Sequence, residues 1–380
     1  MKHLRLLKAL TEAPARRRFE VGQPRYLTYI VTFTCNARCI MCDSWKKPSP
    51  DDLTLTEIER IFRQLPKLDM VRLSGGEPFV RKDLLDIAHL VQDVLDPFRL
   101  HVTSNGFLTE RIVPFCEQRK KNIPLQLLIS IDGMESKHNQ VRGRDTAWTS
   151  VTRTLKELAA RRRELNLTLG VNQTIVDAEG AAHYRELNQF LKSLRVRHHV
   201  VMAYDASATY SLKEETEVAP SSIGSFATFG DFEQEEITKL WEEVEADVAS
   251  WPWMERMAKR YYIDGIRNRL LHGHGSPNPA CVSLNTHLRI LPNGDVPTCQ
   301  FNTRKVGNLR RMSFVEIWGS ATTDQQRAWV ERCPGCWAEC EILPNAIYTG
   351  DIFRSYLKPP KAARETSPTP SRSAIKTCAL

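Results

Sequence analysis

The chain has 380 residues, of which 42% are hydrophobic and 26% charged, and this composition is typical of a soluble globular protein with one large and one smaller domain. No apolar run approaches the roughly 20 residues that cross a bilayer. The basic N-terminal segment, residues 1–24, also lacks the apolar core of a signal peptide, so we expect a cytoplasmic protein without a membrane span. The net charge of +8 comes from short basic stretches and the tail rather than from one stripe, which argues against a nucleic-acid partner.

Six stretches have the length and the content of β-branched residues that buried parallel strands show. They are residues 25–33, 69–75, 98–104, 125–132, 167–176 and 196–204. Helical periodicity between them predicts helices over 56–65, 83–95, 149–165 and 184–194, with Thr56 and Glu59 suited to a capping box. Serial βα units predict an α/β fold, a partial (β/α)6 TIM-like barrel over residues 25–204, with its chemistry at the C-terminal ends of the strands.

The second half of the chain has a different pattern. Residues 205–278 are predicted to form a linker or a lid, followed by helical segments, and either role fits the small and polar residues up to 232. Residues 279–345 form a small cysteine-rich domain, in which "LPNGDV" predicts a β-hairpin. Residues 346–380 are predicted to be an extension that is mostly a disordered tail.

Three of the ten cysteines, Cys35, Cys39 and Cys42, follow the first predicted strand within eight residues. In a reducing compartment, clustered cysteines indicate a metal site rather than disulfides. A zinc ion would need a fourth ligand. A four-iron cluster held by three cysteines instead keeps one iron open for an outside ligand. The spacing alone leaves both alternatives open.

Turns of glycine and polar residues follow the next three strands. They are "SGGEP" at 74–78, "SNG" at 104–106 and "SIDG" at 130–133, and "VRG" at 141–143 comes soon after. The combination of the CxxxCxxC spacing with "GGEP" resembles the radical S-adenosylmethionine (SAM) superfamily over about residues 25–204.

This resemblance implies a [4Fe–4S] cluster on Cys35, Cys39 and Cys42 that binds SAM, cleaves it reductively to a 5′-deoxyadenosyl radical and so abstracts hydrogen from a substrate. It also implies an electron donor such as flavodoxin or ferredoxin. The SAM contacts that it implies are Gly75, Gly76, Glu77, Ser104, Asn105, Ser130, Asp132 and Arg142, with Met41 where the family often has an aromatic residue. No general base can be named from the sequence.

A second group of cysteines lies in the C-terminal part: Cys281, Cys299, Cys333, Cys336 and Cys340, with Gly294 five residues before Cys299. The pattern resembles the SPASM or twitch extensions of radical SAM enzymes, which carry auxiliary iron–sulfur clusters. It implies one auxiliary [4Fe–4S] cluster on Cys281, Cys299 and two of the last three cysteines, with Cys333 and Cys336 preferred and Cys340 as the spare thiol. A structural zinc site is the alternative.

The sequence therefore predicts an enzyme that oxidises or rearranges a small polar metabolite, such as a sugar, an aminocyclitol or another natural-product intermediate. A maturase of a ribosomally made peptide is the alternative, although only about 25 residues precede the first strand, too few for a fused peptide-recognition domain. An iron–sulfur or zinc binding module without enzymatic activity is the third possibility, and the serial motifs argue against it.

Overall fold

The computed structural model describes residues 22–47, 49–204, 210 and 228–357. The strands are β1 Tyr26–Ile30, β2 Met70–Ser74, β3 Arg99–Ser104, β4 Leu125–Ser130, β5 Leu167–Ile175, β6 Arg197–Met202, β7 His287–Ile290, β8 Asp295–Pro297 and β9 Lys305–Asn308. The helices of the first half are α1 Leu55–Phe62, α2 Leu84–Leu90, α3 Thr109–Gln118, α4 Glu135–Arg142, α5 Ala147–Arg161, α6 Ala178–Ala182 and α7 Tyr184–Ser193. Those of the second half are α8 Gln234–Val248, α9 Trp253–Leu271, α10 Phe314–Trp318, α11 Ala321–Arg332, α12 Glu339–Tyr348 and α13 Asp351–Leu357.

Seven parallel strands form one open sheet in the order β6-β5-β4-β3-β2-β1-β7. The six strands predicted in the first half are all present, and helices alternate with them along the chain. The α/β fold with a partial barrel is therefore confirmed. Because every strand pair is parallel, the C-terminal ends of the strands lie at one rim of the sheet, where the predicted motifs also lie.

Strand β7 is a difference from the sequence-based prediction, which placed it in a hairpin of the small domain. The tight turn does form, since Leu291 N–H donates to the Asp295 carbonyl at 2.9 Å. However, β7 pairs in parallel with β1, and β8 pairs with β9 in a separate antiparallel sheet. The edge of β1 offers a full row of backbone partners, so the strand before the turn pairs there instead. The cysteine-rich region is thereby joined to the main sheet.

The two faces of the sheet differ in polarity. On the outer face, side chains such as Leu27, Val71 and Leu127 are fully buried beneath the helices. On the other, concave face, Arg72, Arg99 and Thr103 are half-buried and polar. The sequence-based expectation of strands that are often apolar on both faces is therefore wrong for the concave face, which carries many polar side chains.

Several local features also differ from the predictions. Helix α1 begins at Leu55, one residue before the predicted start, and its capping box lies two residues earlier than expected, at Thr54 and Glu57 instead of Thr56 and Glu59. Helix α2 continues as a π-helix over Val91–Leu95. The lid or linker at 205–232 and the tail from 358 onward lie largely outside the described residues, and residues 351–357 are helical. Within the described residues, no helix is long and apolar enough to cross a membrane.

Candidate active site

The first cysteine group lies on the loop that follows β1. Its three thiols are free and half-buried. Backbone N–H groups donate to two of the sulfurs, from Ala37 to Cys35 Sγ at 3.4 Å and from Ser44 to Cys42 Sγ at 3.4 Å. Burial nevertheless raises the pKa of Cys35 to about 12 and that of Cys42 to about 11. These thiols are therefore protonated at neutral pH, and a metal centre that binds them must displace the protons.

The glycine turn after β2 packs directly against the start of this loop. Gly76 N–H donates to the Thr32 carbonyl at 2.8 Å. A Cβ atom on Gly76 would lie 2.4 Å from the carbonyl oxygens of both Phe33 and Thr34, and one on Gly75 would lie 2.3 Å from that of Thr32. Only residues without a side chain allow the two backbones to approach this closely.

Helix α4 holds the other side of the cysteine loop with its C-terminal end. Arg38 N–H donates to the Arg142 carbonyl at 2.9 Å, and Ile40 N–H donates to that of Val141 at 3.0 Å. Gly143 ends the helix with a φ of 63°, and a Cβ atom there would lie 2.6 Å from the Arg38 carbonyl oxygen. The "VRG" motif thus fixes the loop between Cys35 and Cys42.

These segments enclose a cavity of about 200 Å³ at the C-terminal rim of the sheet. The sequence-predicted residues in its wall are Cys35, Cys39, Cys42, Met41, Gly75, Gly76, Ser104, Asn105, Ser130 and Arg142. The wall also contains Ser74, Thr103, Trp45 and Tyr210, which the sequence reasoning did not select. Two of them have a signal in the sequence, because Trp45 is an aromatic residue three positions after Cys42 and Thr103 directly precedes "SNG".

Two predicted SAM contacts, Glu77 and Asp132, lie outside the wall of this cavity. Burial raises the pKa of Glu77 to about 7. Its carboxyl group accepts from Ser104 Oγ at 2.9 Å and from Asn105 N–H at 2.7 Å, and so ties the "GGEP" turn to the "SNG" turn. Because its carboxyl oxygens are occupied by the neighbouring turn, the backbone of Glu77 is the part of this residue that remains available for the predicted contact with SAM.

Asp132 is likewise occupied by a neighbour, Arg142. The guanidinium of Arg142 donates to both oxygens of the fully buried Asp132 carboxylate, at 2.6 and 3.0 Å. Its Nη1 atom donates to Cys39 Sγ at 3.5 Å. Despite burial, the Asp132 carboxylate and the Cys39 sulfur raise the pKa of Arg142, which stays charged beside the cysteine. The ion pair therefore places a fixed positive charge next to the site where thiolates would bind metal.

In the second cysteine group, four of the five thiols influence one another electrostatically. Burial raises the pKa of Cys281, and the nearby sulfurs of Cys299 and Cys333 raise it further. The pKa of Cys336 is raised by burial and also by the Cys281 and Cys299 sulfurs. Backbone N–H groups again face the sulfur atoms, with Ser283 N–H 3.5 Å from Cys281 Sγ and Asn302 N–H 3.2 Å from Cys299 Sγ.

Cys340 is held differently from these four. Its thiol donates to Gln300 Oε1 at 3.1 Å. Its pKa is raised by burial and by the carboxylate of Glu341, while Arg72 and Arg289 lower it. Cys340 therefore faces the charged residues of the concave face.

The donor sets fit iron–sulfur clusters at both places. Each group offers cysteine sulfur as its ligand type, and backbone N–H donors to sulfur are among the features that tune such clusters. Among the described residues, no three His, Cys, Asp or Glu side chains are grouped as the ligands of a single ion would be.

Comparisons with protein families agree with this geometry. The model of the radical SAM superfamily matches residues 29–184, and the model of an iron–sulfur cluster-binding domain, SPASM, matches residues 281–340. Together the two ranges cover more than half of the chain.

Two curated relatives illustrate the range of similarity. The chain is 35% identical over 130 residues to a GTP 3′,8-cyclase of Actinobacillus pleuropneumoniae serotype 5b, covering 33% of this chain and 37% of the cyclase. It thus spans little more than a third of that relative's length. It is 24% identical to an AdoMet-dependent heme synthase of Methanosarcina barkeri, over 88% of this chain and 92% of the synthase.

Solved structures share the fold. Streptococcus suis SuiB bound to its precursor peptide SuiA has a TM-score of 0.56 at 15% identity, covering 81% of this chain and 67% of SuiB. The protein anSMEcpe with bound AdoMet has a TM-score of 0.56 at 14% identity, covering 88% of this chain and 92% of the other. The radical SAM domain binds SAM and a [4Fe–4S] cluster, and the SPASM domain binds iron–sulfur. The chain therefore belongs to the radical SAM superfamily of enzymes and carries a SPASM domain in its C-terminal part.

Proposed function

We propose that this enzyme cleaves SAM reductively and abstracts hydrogen from a small polar metabolite, which it oxidises or rearranges. One observation carries the proposal: the three cysteines, Arg142 and the polar turns line a single cavity at the rim of the sheet. That cavity adjoins the concave face, because Ser74 and Thr103 in its wall belong to the same strand faces as Arg72 and His101.

In this proposal Cys35, Cys39 and Cys42 ligate the catalytic cluster, and SAM occupies the cavity. The bound pair supplies a 5′-deoxyadenosyl radical when an electron arrives from a donor such as flavodoxin or ferredoxin. Gly75 and Gly76 leave room for the methionine end of SAM against the backbone. The remaining wall residues that contact SAM are Met41, Ser104, Asn105, Ser130 and Arg142.

Glu77 and Asp132 have positioning roles in this scheme. Glu77 fixes the turn that carries Ser104 and Asn105. Asp132 orients the guanidinium of Arg142. Residues 25–204 are the SAM-cleaving unit, residues 205–278 connect it to the rest, and residues 279–345 hold the auxiliary cluster.

The auxiliary cluster is proposed to be a [4Fe–4S] cluster on Cys281, Cys299, Cys333 and Cys336, with Cys340 as a free thiol. Anaerobic reconstitution should give about eight irons per chain for two such clusters. Cys281→Ala should reduce the iron content to about four per chain, whereas the matched variant Cys340→Ala should keep about eight. Iron analysis with Mössbauer spectra measures both. A loss of iron in Cys340→Ala equal to that in Cys281→Ala would contradict this ligand set.

The substrate class is tested by isotope transfer. The reduced enzyme is incubated with SAM and with deuterated candidate sugars or aminocyclitols, and 5′-deoxyadenosine is analysed by mass spectrometry. We expect deuterium in 5′-deoxyadenosine from a metabolite, because the polar concave face suits hydroxyl, amino or acidic groups. A reaction without reductant is the control. Transfer from a labelled peptide and from no metabolite would decide for the maturase alternative.

A further inference from the structure

A row of polar side chains crosses the concave face of the sheet below the SAM cavity. Strand register places Arg289, Thr28, Arg72 and His101 side by side on four neighbouring strands. Arg72 is two residues before Ser74, which lines the cavity, and this spacing is about 6–7 Å along a strand. The row is therefore close enough to hold the far end of a molecule whose near end faces SAM.

The main electrostatic partners of Arg72 are the Tyr26 hydroxyl and the Cys340 thiol rather than a carboxylate. Among the described residues, no carboxylate lies within salt-bridge distance of its guanidinium, and its buried Nε atom has no hydrogen-bond partner. The carboxylate that most affects it, Glu341, already binds Arg289 and lies 3.3 Å from His287 Nδ1. The ring of Tyr26 lies 5.7 Å from the guanidinium carbon and shields one side of it.

Other donors surround His101 on the same face. Its electrostatic neighbours are Arg72, Arg99 and His199, and none is acidic. Burial and these neighbours lower the pKa of His101 well below its usual value, so the imidazole is neutral. Arg99 donates to the uncharged Gln126 side chain at 3.4 Å and also interacts electrostatically with the carboxylate of Glu255.

The acidic groups nearest to this region are already paired with other cations. Glu255 pairs with Arg197, and Glu339 accepts from Lys259 Nζ at 3.0 Å. The face thus has an excess of positive charge. This excess is unfavourable, because like charges that are close together and away from bulk water repel strongly. An anion bound between them would remove this repulsion, and a guanidinium binds carboxylate or phosphate through two parallel hydrogen bonds.

We propose that Arg72, Arg99, His101 and His199, here called the basic cluster, bind an oxyanion of the substrate, so that the substrate is an acidic metabolite with a carboxylate or phosphate group. That this metabolite is the substrate of the enzyme rests on the proposed function. The oxyanion fixes one end of the metabolite between Arg72 and Arg99, and the neutral imidazoles add hydrogen-bond donors without further charge. The opposite end then extends along β2 and β3 toward Ser74 and Thr103 in the SAM cavity.

The test measures anion binding directly and needs no radical chemistry. Inorganic phosphate and succinate are titrated separately into the reconstituted enzyme at low ionic strength, with isothermal titration calorimetry as the readout. We expect saturable binding of at least one anion, which identifies phosphate or carboxylate as the preferred group. Arg72→Gln and Arg99→Gln should each weaken that binding by about tenfold or more, since a charged hydrogen-bond donor is lost. Arg72→Lys should retain more of it than Arg72→Gln.

Arg63→Gln is the matched control, because Arg63 is exposed at the C-terminal cap of α1 and pairs with Glu59. It should bind the anions as the unchanged enzyme does, and circular dichroism checks that each variant is folded. Absence of saturable binding to both anions, or equal binding by folded Arg72→Gln and Arg63→Gln, would overturn the basic cluster as an anion site. Formation of 5′-deoxyadenosine is measured on the same unchanged preparation. Its absence would count against the proposed function and leave the result on anion binding intact.

Discussion

Cys39→Ala is expected to abolish the formation of 5′-deoxyadenosine from SAM and to remove about four irons from each chain. Cys39 is half-buried like its two partners, and its sulfur accepts from Arg142 Nη1. Removing the sulfur therefore takes away one proposed cluster ligand and also the sulfur contact of a buried guanidinium. The iron content and the yield of 5′-deoxyadenosine with a chemical reductant measure the effect.

The matched control for this substitution is Cys116→Ala. Cys116 is fully buried on α3 within the hydrophobic core, so its replacement leaves a small void without touching either cysteine group. We expect the iron content and the cleavage of SAM to stay unchanged in Cys116→Ala. Cleavage by Cys39→Ala at the rate of the unchanged enzyme would reject the proposed cluster ligands.

Gly76→Ala is expected to disrupt both the cysteine loop and the SAM cavity. The added methyl group would lie 2.4 Å from two backbone oxygens, so either the "GGEP" turn or the loop before Cys35 must move. Overpacking of this kind typically costs about 1–3 kcal/mol of folding free energy. Gly75, Gly76 and Cys35 line the cavity, so a shift here changes the shape of the site. We therefore expect Gly76→Ala to lose most of its SAM binding and bound iron, while the protein remains folded.

Gly180→Ala provides the comparison for this variant. Gly180 is buried in α6, and a Cβ atom there would have its nearest neighbour at 3.4 Å, an ordinary contact. Thermal unfolding, iron content and equilibrium binding of SAM should all stay close to those of the unchanged enzyme. If Gly76→Ala bound SAM and iron as well as Gly180→Ala, the close packing of the glycine turn against the loop would not matter for the site.

The strands and the cysteine loop were predictable because their signals are local. Short stretches rich in β-branched residues, such as 69–75 and 125–132, predict strands from their own composition. The three cysteines of the CxxxCxxC motif also lie within eight residues of one another. Arg142 could be assigned to the cavity because it belongs to a motif of the family that this chain resembles. The hydrogen-bond partners of the Glu77 and Asp132 side chains could not be predicted, since a carboxylate in a turn can equally face a ligand or hold a residue distant in sequence.

The position of β7 and the charge of the concave face were missed for a related reason. No local signal distinguishes a strand that pairs within a hairpin from one that pairs with a distant edge. The alternation of Arg99, His101 and Thr103 was visible in the sequence, but its meaning depends on which face the helices cover. Arg289 and Glu341 reach that face only because β7 and α12 return to the main sheet.

The pairing of β7 with β1 has a consequence for the order in which the protein folds. Thr28 and His287, which share a hydrogen bond, are 259 residues apart in the chain. During synthesis on the ribosome, one edge of β1 therefore waits for its partner until the cysteine-rich region has emerged. An unpaired edge in a partly made sheet is prone to wrong pairing, and contacts of such long range slow folding. We therefore expect β1 to be paired on both of its edges only after the cysteine-rich region has been made.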